Sequence, residues 1–196
     1  VPFDHNDHYH RLLLRQLPKH GGGTALDIGC GTGRFARRLA ARGYEVDAID
    51  PSAEVIAAAD GLGGGPRFRQ GDATTADLKQ GHYDVITCLA SLHHMPFETV
   101  TRFREALAPG GVLLVLGCYA GITWWDIATV PANAVARAGV FVAERVRGAA
   151  PVPVRAPVRP PEMSLSDVRS AAARLLPGAS VRQLLYWRYL LTCRVT

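Results

Sequence analysis

Eight consecutive residues, Leu26-Asp27-Ile28-Gly29-Cys30-Gly31-Thr32-Gly33, restrict this chain more than any other stretch. A short apolar strand over 24–28 runs into glycine at every second position, and a helix-period segment over 33–42 begins at once. Glycine permits the tight bend and lets a ligand touch bare backbone. The helix start adds unpaired N–H groups and the positive end of a dipole. Strand, glycine turn and helix together predict a nucleotide-type ligand site at the first βα junction.

Spacing narrows the ligand. The glycines follow Gly-x-Gly-x-Gly rather than the Gly-x-Gly-x-x-Gly of dinucleotide folds. Asp27, two positions before the first glycine, repels a pyrophosphate and attracts a cationic amino group. Residues 26–33 thereby resemble the first motif of class I S-adenosylmethionine (SAM)-dependent methyltransferases, whose cofactor carries an ammonium, a sulfonium and no phosphate.

Strand and helix signals alternate over the first 120 or so residues, which predicts a parallel sheet covered by helices. Strands are expected over 24–28, 45–49, 67–70, 84–89 and 112–116, and helices over 33–42, 53–59, 75–79 and from Pro96 to Leu107. Gly43 suits the position after a helix, Pro96 a first helical turn, and 108–111 a turn. Residues 119–147 lose strand rhythm and suggest one or two short helices broken at Pro131 and Gly139; 150–161 is a proline-rich arm. A helix over 168–176 takes Ser164 or Ser166 as its N-cap, and 180–195 forms two antiparallel strands meeting near Tyr186 and Trp187. The fold class is α/β, a three-layer sandwich with a mostly parallel, seven-stranded sheet whose last strand is antiparallel, and a helical insert after strand 5. The whole chain, 1–196, is one domain, with a cofactor-covering segment at 1–20 and an insert or arm at 119–162 that serves substrate binding.

The resemblance assigns roles along the strand ends. Asp50, seventeen residues after Gly33, bridges the ribose hydroxyls, with Pro51 beside it; the other reading is a capping Asp before the next helix. Asp72 and Ala73 meet the adenine, or Asp72 is a turn residue. Asp27, Gly29, Cys30, Gly31, Gly33 and Leu89 complete the expected cofactor wall, and Tyr9, with His5 and His8 behind it, covers the methionine end. Three histidines at 5, 8 and 10 also suit a metal, a weaker reading than a covering segment. His93 or His94 follows strand 4, where the methyl meets its acceptor; His94 is favoured as the pocket-facing general base and His93 as structural. Tyr119, Trp124 and Trp125 line an apolar acceptor pocket, or pack as a helix, or contact a membrane.

Composition bounds the alternatives. With 196 residues and 48% apolar content the chain supports a full core. The net charge of +5 comes from scattered arginines, so nucleic acid is a disfavoured partner. No apolar run reaches membrane-spanning length, and no signal peptide opens the chain, which suggests the cytoplasm. The four cysteines form no Cys-x-x-Cys pair, so neither zinc nor a disulfide framework is expected, although Cys30, Cys88 and Cys118 sit on adjacent strands. No metal ligand follows strand 4. The function expected is transfer of the SAM methyl group, by in-line displacement, to O, N or C of a small, partly apolar molecule, leaving S-adenosylhomocysteine (SAH). The alternatives are an RNA-directed methyltransferase and a SAM-binding protein that transfers nothing. Oligomeric state and acceptor identity are not encoded in any of these signals.

Overall fold

Leu26, Ile28, Ile86, Cys88, Leu113 and Val115 face one side of a sheet, while Ala25, Val85, Val112, Leu114 and Leu116 face the other. Both sides are buried, so the central strands are apolar throughout rather than alternating. The computed structural model describes residues 5–18, 21–128 and 159–195. Its strands are β1 (Gly23–Ile28), β2 (Tyr44–Asp50), β3 (Arg67–Gln70), β4 (Tyr83–Leu89), β5 (Leu107–Cys118), β6 (Ser180–Leu184) and β7 (Arg188–Arg194). They form one seven-stranded sheet in the order β3-β2-β1-β4-β5-β7-β6. The first five pair in parallel, and β7 runs antiparallel between β5 and β6. The order reverses at β1 and β4, which opens a crevice beyond their carboxyl ends.

Helices cover both faces. Tyr9 and Leu13 of α1 (His5–Leu14) and Phe35, Ala36 and Leu39 of α2 (Arg34–Ala40) pack on one. Val100 and Phe103 of α4 (Val100–Ala106) and Leu165 and Val168 of α6 (Leu165–Leu175) pack on the other. The remaining helices are α3 (Ala53–Gly61) and the short α5 (Trp124–Ala128). Ser52 caps α3 by accepting from the Val55 N–H at 3.3 Å. Ser164 and Asp167 form a reciprocal capping box at α6, which settles the choice between the two serines.

Three local expectations are corrected. Residues 75–79 form no helix: the Asp72 carboxylate accepts from the Thr74 N–H and hydroxyl, and the Arg102 guanidinium binds the carbonyls of Ala73, Thr74 and Ala76. Those carbonyls are thus held from outside instead of by a following helical turn. Residues 108–111 are absorbed into β5, because Leu107 already pairs with Tyr83 before a register shift, and Gly110 and Gly111 bond to Val195. The helix expected from Pro96 starts as a 3-10 turn, Phe97–Thr99. The helix breaks at Pro131 and Gly139, and residues 150–158 of the proline-rich arm, lie outside the described residues.

The β6–β7 hairpin turns through Tyr186 and Trp187, both with positive φ, 59° and 55°. No glycine marks the turn; its conformation is imposed by tertiary packing of the buried Tyr186. On β5, Gly117 faces Tyr189 across the strands, and a β-carbon there would overlap the tyrosine ring. Gly117→Ala should therefore destabilise the protein by about 1–3 kcal/mol in urea denaturation. In a Tyr189→Val background the same substitution should cost much less, which isolates the overlap from any other effect of the methyl group.

Candidate functional site

The crevice at the carboxyl ends of β1, β2 and β4 is a cavity of about 610 Å³, within the range of small-molecule sites. One wall is the β1–α2 turn. Cys30 N–H donates to the Ile49 carbonyl at 3.0 Å, and Gly31 N–H to Asp50 Oδ2 at 3.0 Å, which ties the turn to the end of β2. Asp50 Oδ1 accepts from the Ser52 N–H at 3.0 Å. The Asp50 carboxylate is thus fixed at the cavity wall by two backbone donors, while Ser52 does the capping of α3.

Asp27 is buried at 2% exposure on the same wall. Its Oδ1 accepts from the Thr87 hydroxyl at 2.7 Å, and the Ala36 N–H of the first turn of α2 also donates to it. This carboxylate takes the place of the side-chain cap that Gly33, the N-cap residue of α2, lacks. Burial dominates even so and pushes its pKa up to about 7, with the Asp50 charge adding to the rise.

A second wall carries Asp72, Ala73 and Thr74 after β3. The Thr74 N–H and then its hydroxyl hold the Asp72 carboxyl below its ordinary range. The third wall follows β4 and includes Leu89, Ser91, His94 and Met95. Ser91 donates towards the Gly29 carbonyl at 3.2 Å, and its side chain fills the space that a β-carbon on Gly29 would need.

Several expected residues stand elsewhere. Tyr9 does not cover the cavity: it is buried in the α1 core and donates its hydroxyl to the Leu185 carbonyl at 2.9 Å. Asp7 and His10 take that place instead. Asp7 pairs with Arg34 and lies 3.5 Å from His10 Nε2. The signal was present in sequence, since Asp7 and His10 share a helix face while Tyr9 and Leu13 share the apolar one. His8 packs edge-on against Tyr9 and Tyr186; the His5 side chain is outside the described set. Gly33 is buried off the cavity, where a β-carbon would overlap Phe68. His94 lines the cavity, and His93 is outside the lining, half-buried with its pKa pushed down to about 4, by burial first and by His94 and Arg188 next.

The structure does not bring Tyr119 or Trp124 of the expected acceptor trio to the cavity. Tyr119 is buried, and its hydroxyl is engaged by Asp126 at 2.5 Å and Gln183 at 2.8 Å. Trp124 is 76% exposed on the surface, and the Trp125 side chain is outside the described residues. Among the described residues no group of three or more His, Cys, Asp or Glu is placed to hold a metal ion, and no helix is long and apolar enough to cross a membrane.

A doubly wound sheet with its crevice beyond β1 and β4, walled by a glycine turn and by acids at the ends of β1, β2 and β3, defines a Rossmann-like cofactor domain. A family model described as a methyltransferase domain matches residues 25–111. An uncharacterized methyltransferase of Mycobacterium tuberculosis is 34% identical, over 98% of this chain and 97% of its own length. A ubiquinone biosynthesis O-methyltransferase of Marinobacter nauticus is 34% identical over 103 residues, 48% of this chain and 43% of the relative. The crystal structure of a SAM-dependent methyltransferase from Mesorhizobium loti shares the fold with a TM-score of 0.65 at 18% identity, covering 94% of this chain and 96% of that one. The chain belongs to the class I SAM-dependent methyltransferases.

Asp27 also makes stability depend on pH in a direction opposite to that of most carboxylates. In the unfolded chain it loses its proton near pH ~4, whereas the folded protein keeps it up to about pH 7. Its contribution is fully present below the lower value and is lost as pH rises through the higher one. Urea midpoints of the ligand-free protein should carry a falling component over that window, and Asp27→Asn should remove it. An unchanged pH profile in the variant would contradict the assignment.

Proposed function

We propose that the cavity binds SAM and that the protein transfers its methyl group to a small, partly apolar acceptor. The observation that carries this reading is the convergence of Asp27, Gly31, Asp50 and Asp72 on one cavity. Gly31 supplies the test of fit. Its φ is +54°, and a β-carbon there would meet nothing within 4 Å, so the bare backbone faces open cavity. Asp27, Asp50 and Asp72 around that space, with Asp7 paired to Arg34 beyond them, suit a cofactor with hydroxyls, amines and positive charge, and disfavour one with phosphates.

The residues divide the work. Asp50, already oriented by two backbone donors, accepts from the ribose hydroxyls. Asp72 has one oxygen engaged by Thr74 and the other for the adenine amino group, with the Ala73 backbone beside it. Asp27 attracts the methionine ammonium, while Leu89 and Cys30 give apolar contact and Pro51 flanks Asp50. When bound, SAM supplies an electrophilic methyl group on a sulfonium. The chain has then to hold the acceptor in line with it and exclude water, which is where most of the rate arises. His94 faces the cavity and accepts the proton of an acceptor hydroxyl where one must be removed. The related ubiquinone biosynthesis O-methyltransferase makes an oxygen on a small molecule the first acceptor class to screen. Residues 1–20 and 119–162 are the segments we assign to covering the cofactor and admitting the acceptor, with α1 already placing Asp7 and His10 on the wall.

Calorimetric titration with SAM and SAH should show binding of both, weakened about tenfold or more in Asp50→Ala, a loss of roughly 1.4 kcal/mol or more. No binding to the unmodified protein would overturn the proposal. A second readout concerns the proton on Asp27. A cationic ammonium beside it favours the carboxylate, so binding near pH 6 should release a proton, seen as a dependence of the binding heat on buffer ionisation enthalpy. Asp27→Asn should abolish that dependence. With the sites loaded, radiolabelled methyl transfer to hydroxyl-bearing acceptors should fall in His94→Ala by about 100-fold or more for those whose hydroxyl must be deprotonated.

A further inference from the structure

The described residues lining the cavity carry four carboxyl groups, Asp7, Asp27, Asp50 and Asp72, two imidazoles, His10 and His94, and one guanidinium, Arg34. Arg34 is the first residue of α2 and follows the glycine turn directly. Its side chain is 35% exposed and pairs with Asp7, whose own side chain is 17% exposed. Asp7 belongs to α1, so this ion pair fastens the N-terminal helix to the start of α2 at the cavity wall. Asp7 also has a second neighbour: its Oδ1 lies 3.5 Å from Nε2 of the buried His10.

The position of Arg34 relative to Asp27 gives the pair its meaning. The Ala36 N–H, two residues further along the first turn of α2, donates to the Asp27 carboxyl. An acid and a cation thus stand at one helical turn, on one cavity. A ligand carrying an ammonium and a carboxylate on the same carbon meets both there, and SAM and SAH each end in such a group. The acids on the cavity walls repel a carboxylate, and among the described lining residues Arg34 is the one lysine or arginine that attracts it. That guanidinium is already engaged by Asp7. Two carboxylates on one partly buried cation repel each other more strongly than in water, and His10 offers Asp7 another contact without moving the helix. Tyr9 and Leu13 keep α1 itself in place.

We propose that Asp7 is an internal competitor for the carboxylate of the cofactor's amino-acid end: it holds Arg34 while the cavity is empty, yields the guanidinium to that carboxylate on binding, and turns towards His10. This rests on the SAM reading and adds to it the residue pair that sets how tightly the amino-acid end is gripped. One ion pair replaces another, so the ligand's carboxylate contributes less than it would at an arginine with no internal partner. SAH carries the same group as SAM, so the exchange also eases release of the product, a step that limits turnover in many enzymes.

The test compares SAH with its decarboxylated analogue, which keeps the adenosine, the sulfur and the ammonium, by calorimetry on the full chain. Asp7→Asn should raise the affinity for SAH relative to the analogue by about fivefold or more, and Arg34→Gln should lower it by about tenfold or more. Asp7→Ser removes any hydrogen bond that the asparagine amide keeps to Arg34 and should give at least the same rise. The double variant Asp7→Asn, Arg34→Gln should behave as Arg34→Gln alone, because Asp7 acts through that arginine. A ratio that does not move in the Asp7 variants or in Arg34→Gln overturns the proposal. So does a ratio that falls in the Asp7 variants, which would make Asp7 a residue that orients Arg34 for the ligand. The cofactor reading is read separately on the unmodified protein: binding of both ligands with a ratio indifferent to the variants leaves that reading standing and removes the exchange, whereas binding of neither removes the reading and the exchange with it.

Discussion

The fold's working end depends on how closely the β1–α2 turn can approach its neighbours. All three glycines of that turn have positive φ, yet each serves a different contact. A side chain on Gly29 would displace Ser91, which bonds back to the Gly29 carbonyl and holds the start of the β4 loop against β1. A side chain on Gly33 would displace Phe68 and separate α2 from β3. Only Gly31 faces empty space, and that space is the cavity. Two of the glycines are therefore required by packing, and the third leaves room for a ligand. The same short segment locks strands together and opens the site, so the sheet order and the cavity are consequences of one turn.

Asp27 links that turn to electrostatics. It is held by Thr87 on β4 and by the first turn of α2, and is buried deeply enough to keep its proton near neutrality. A carboxyl group in that state is a neutral hydrogen-bonding strut below about pH 7 and an anion above it. Asp72 differs from it in exposure: it stands in solvent, where the Thr74 N–H and hydroxyl hold its carboxyl below the ordinary range.

The half of the cavity around the glycine turn was legible in the sequence because its determinants are local. Each of the acids at 27, 50 and 72 is read from the few residues around it at a strand end, and the structure puts all three on one cavity with Gly29 and Gly31. The sheet was legible for the same reason: two-faced burial writes itself as apolar runs over β1, β4 and β5. Tyr9 was misplaced although its spacing from Leu13 marks the apolar face of α1; only the Leu185 carbonyl that takes its hydroxyl, 176 residues away, leaves no local trace. The absent helix at 75–79 has the same cause, since the Arg102 guanidinium that holds those carbonyls comes from α4. The turn at Tyr186 and Trp187 has no local signal at all; left-handed aromatic residues are tolerated only where surrounding contacts fix them.

That division follows the chemistry. A cofactor shared across a family is met by a motif, and a motif is short-range by nature. An acceptor particular to one protein is met by side chains from distant parts of the chain. Here the cavity takes Asp7 and His10 from α1 at the beginning of the chain and His94 and Met95 from the residues after β4 in the middle. Tyr9 ties α1 to the β6–β7 hairpin through the Leu185 carbonyl, and Arg188 follows that hairpin directly. The hairpin therefore sets the position of the helix that brings Asp7 and His10 to the wall. Moving the hairpin would shift that helix while leaving the glycine turn and its acids in place, so one wall of the cavity can change on this scaffold without disturbing the other.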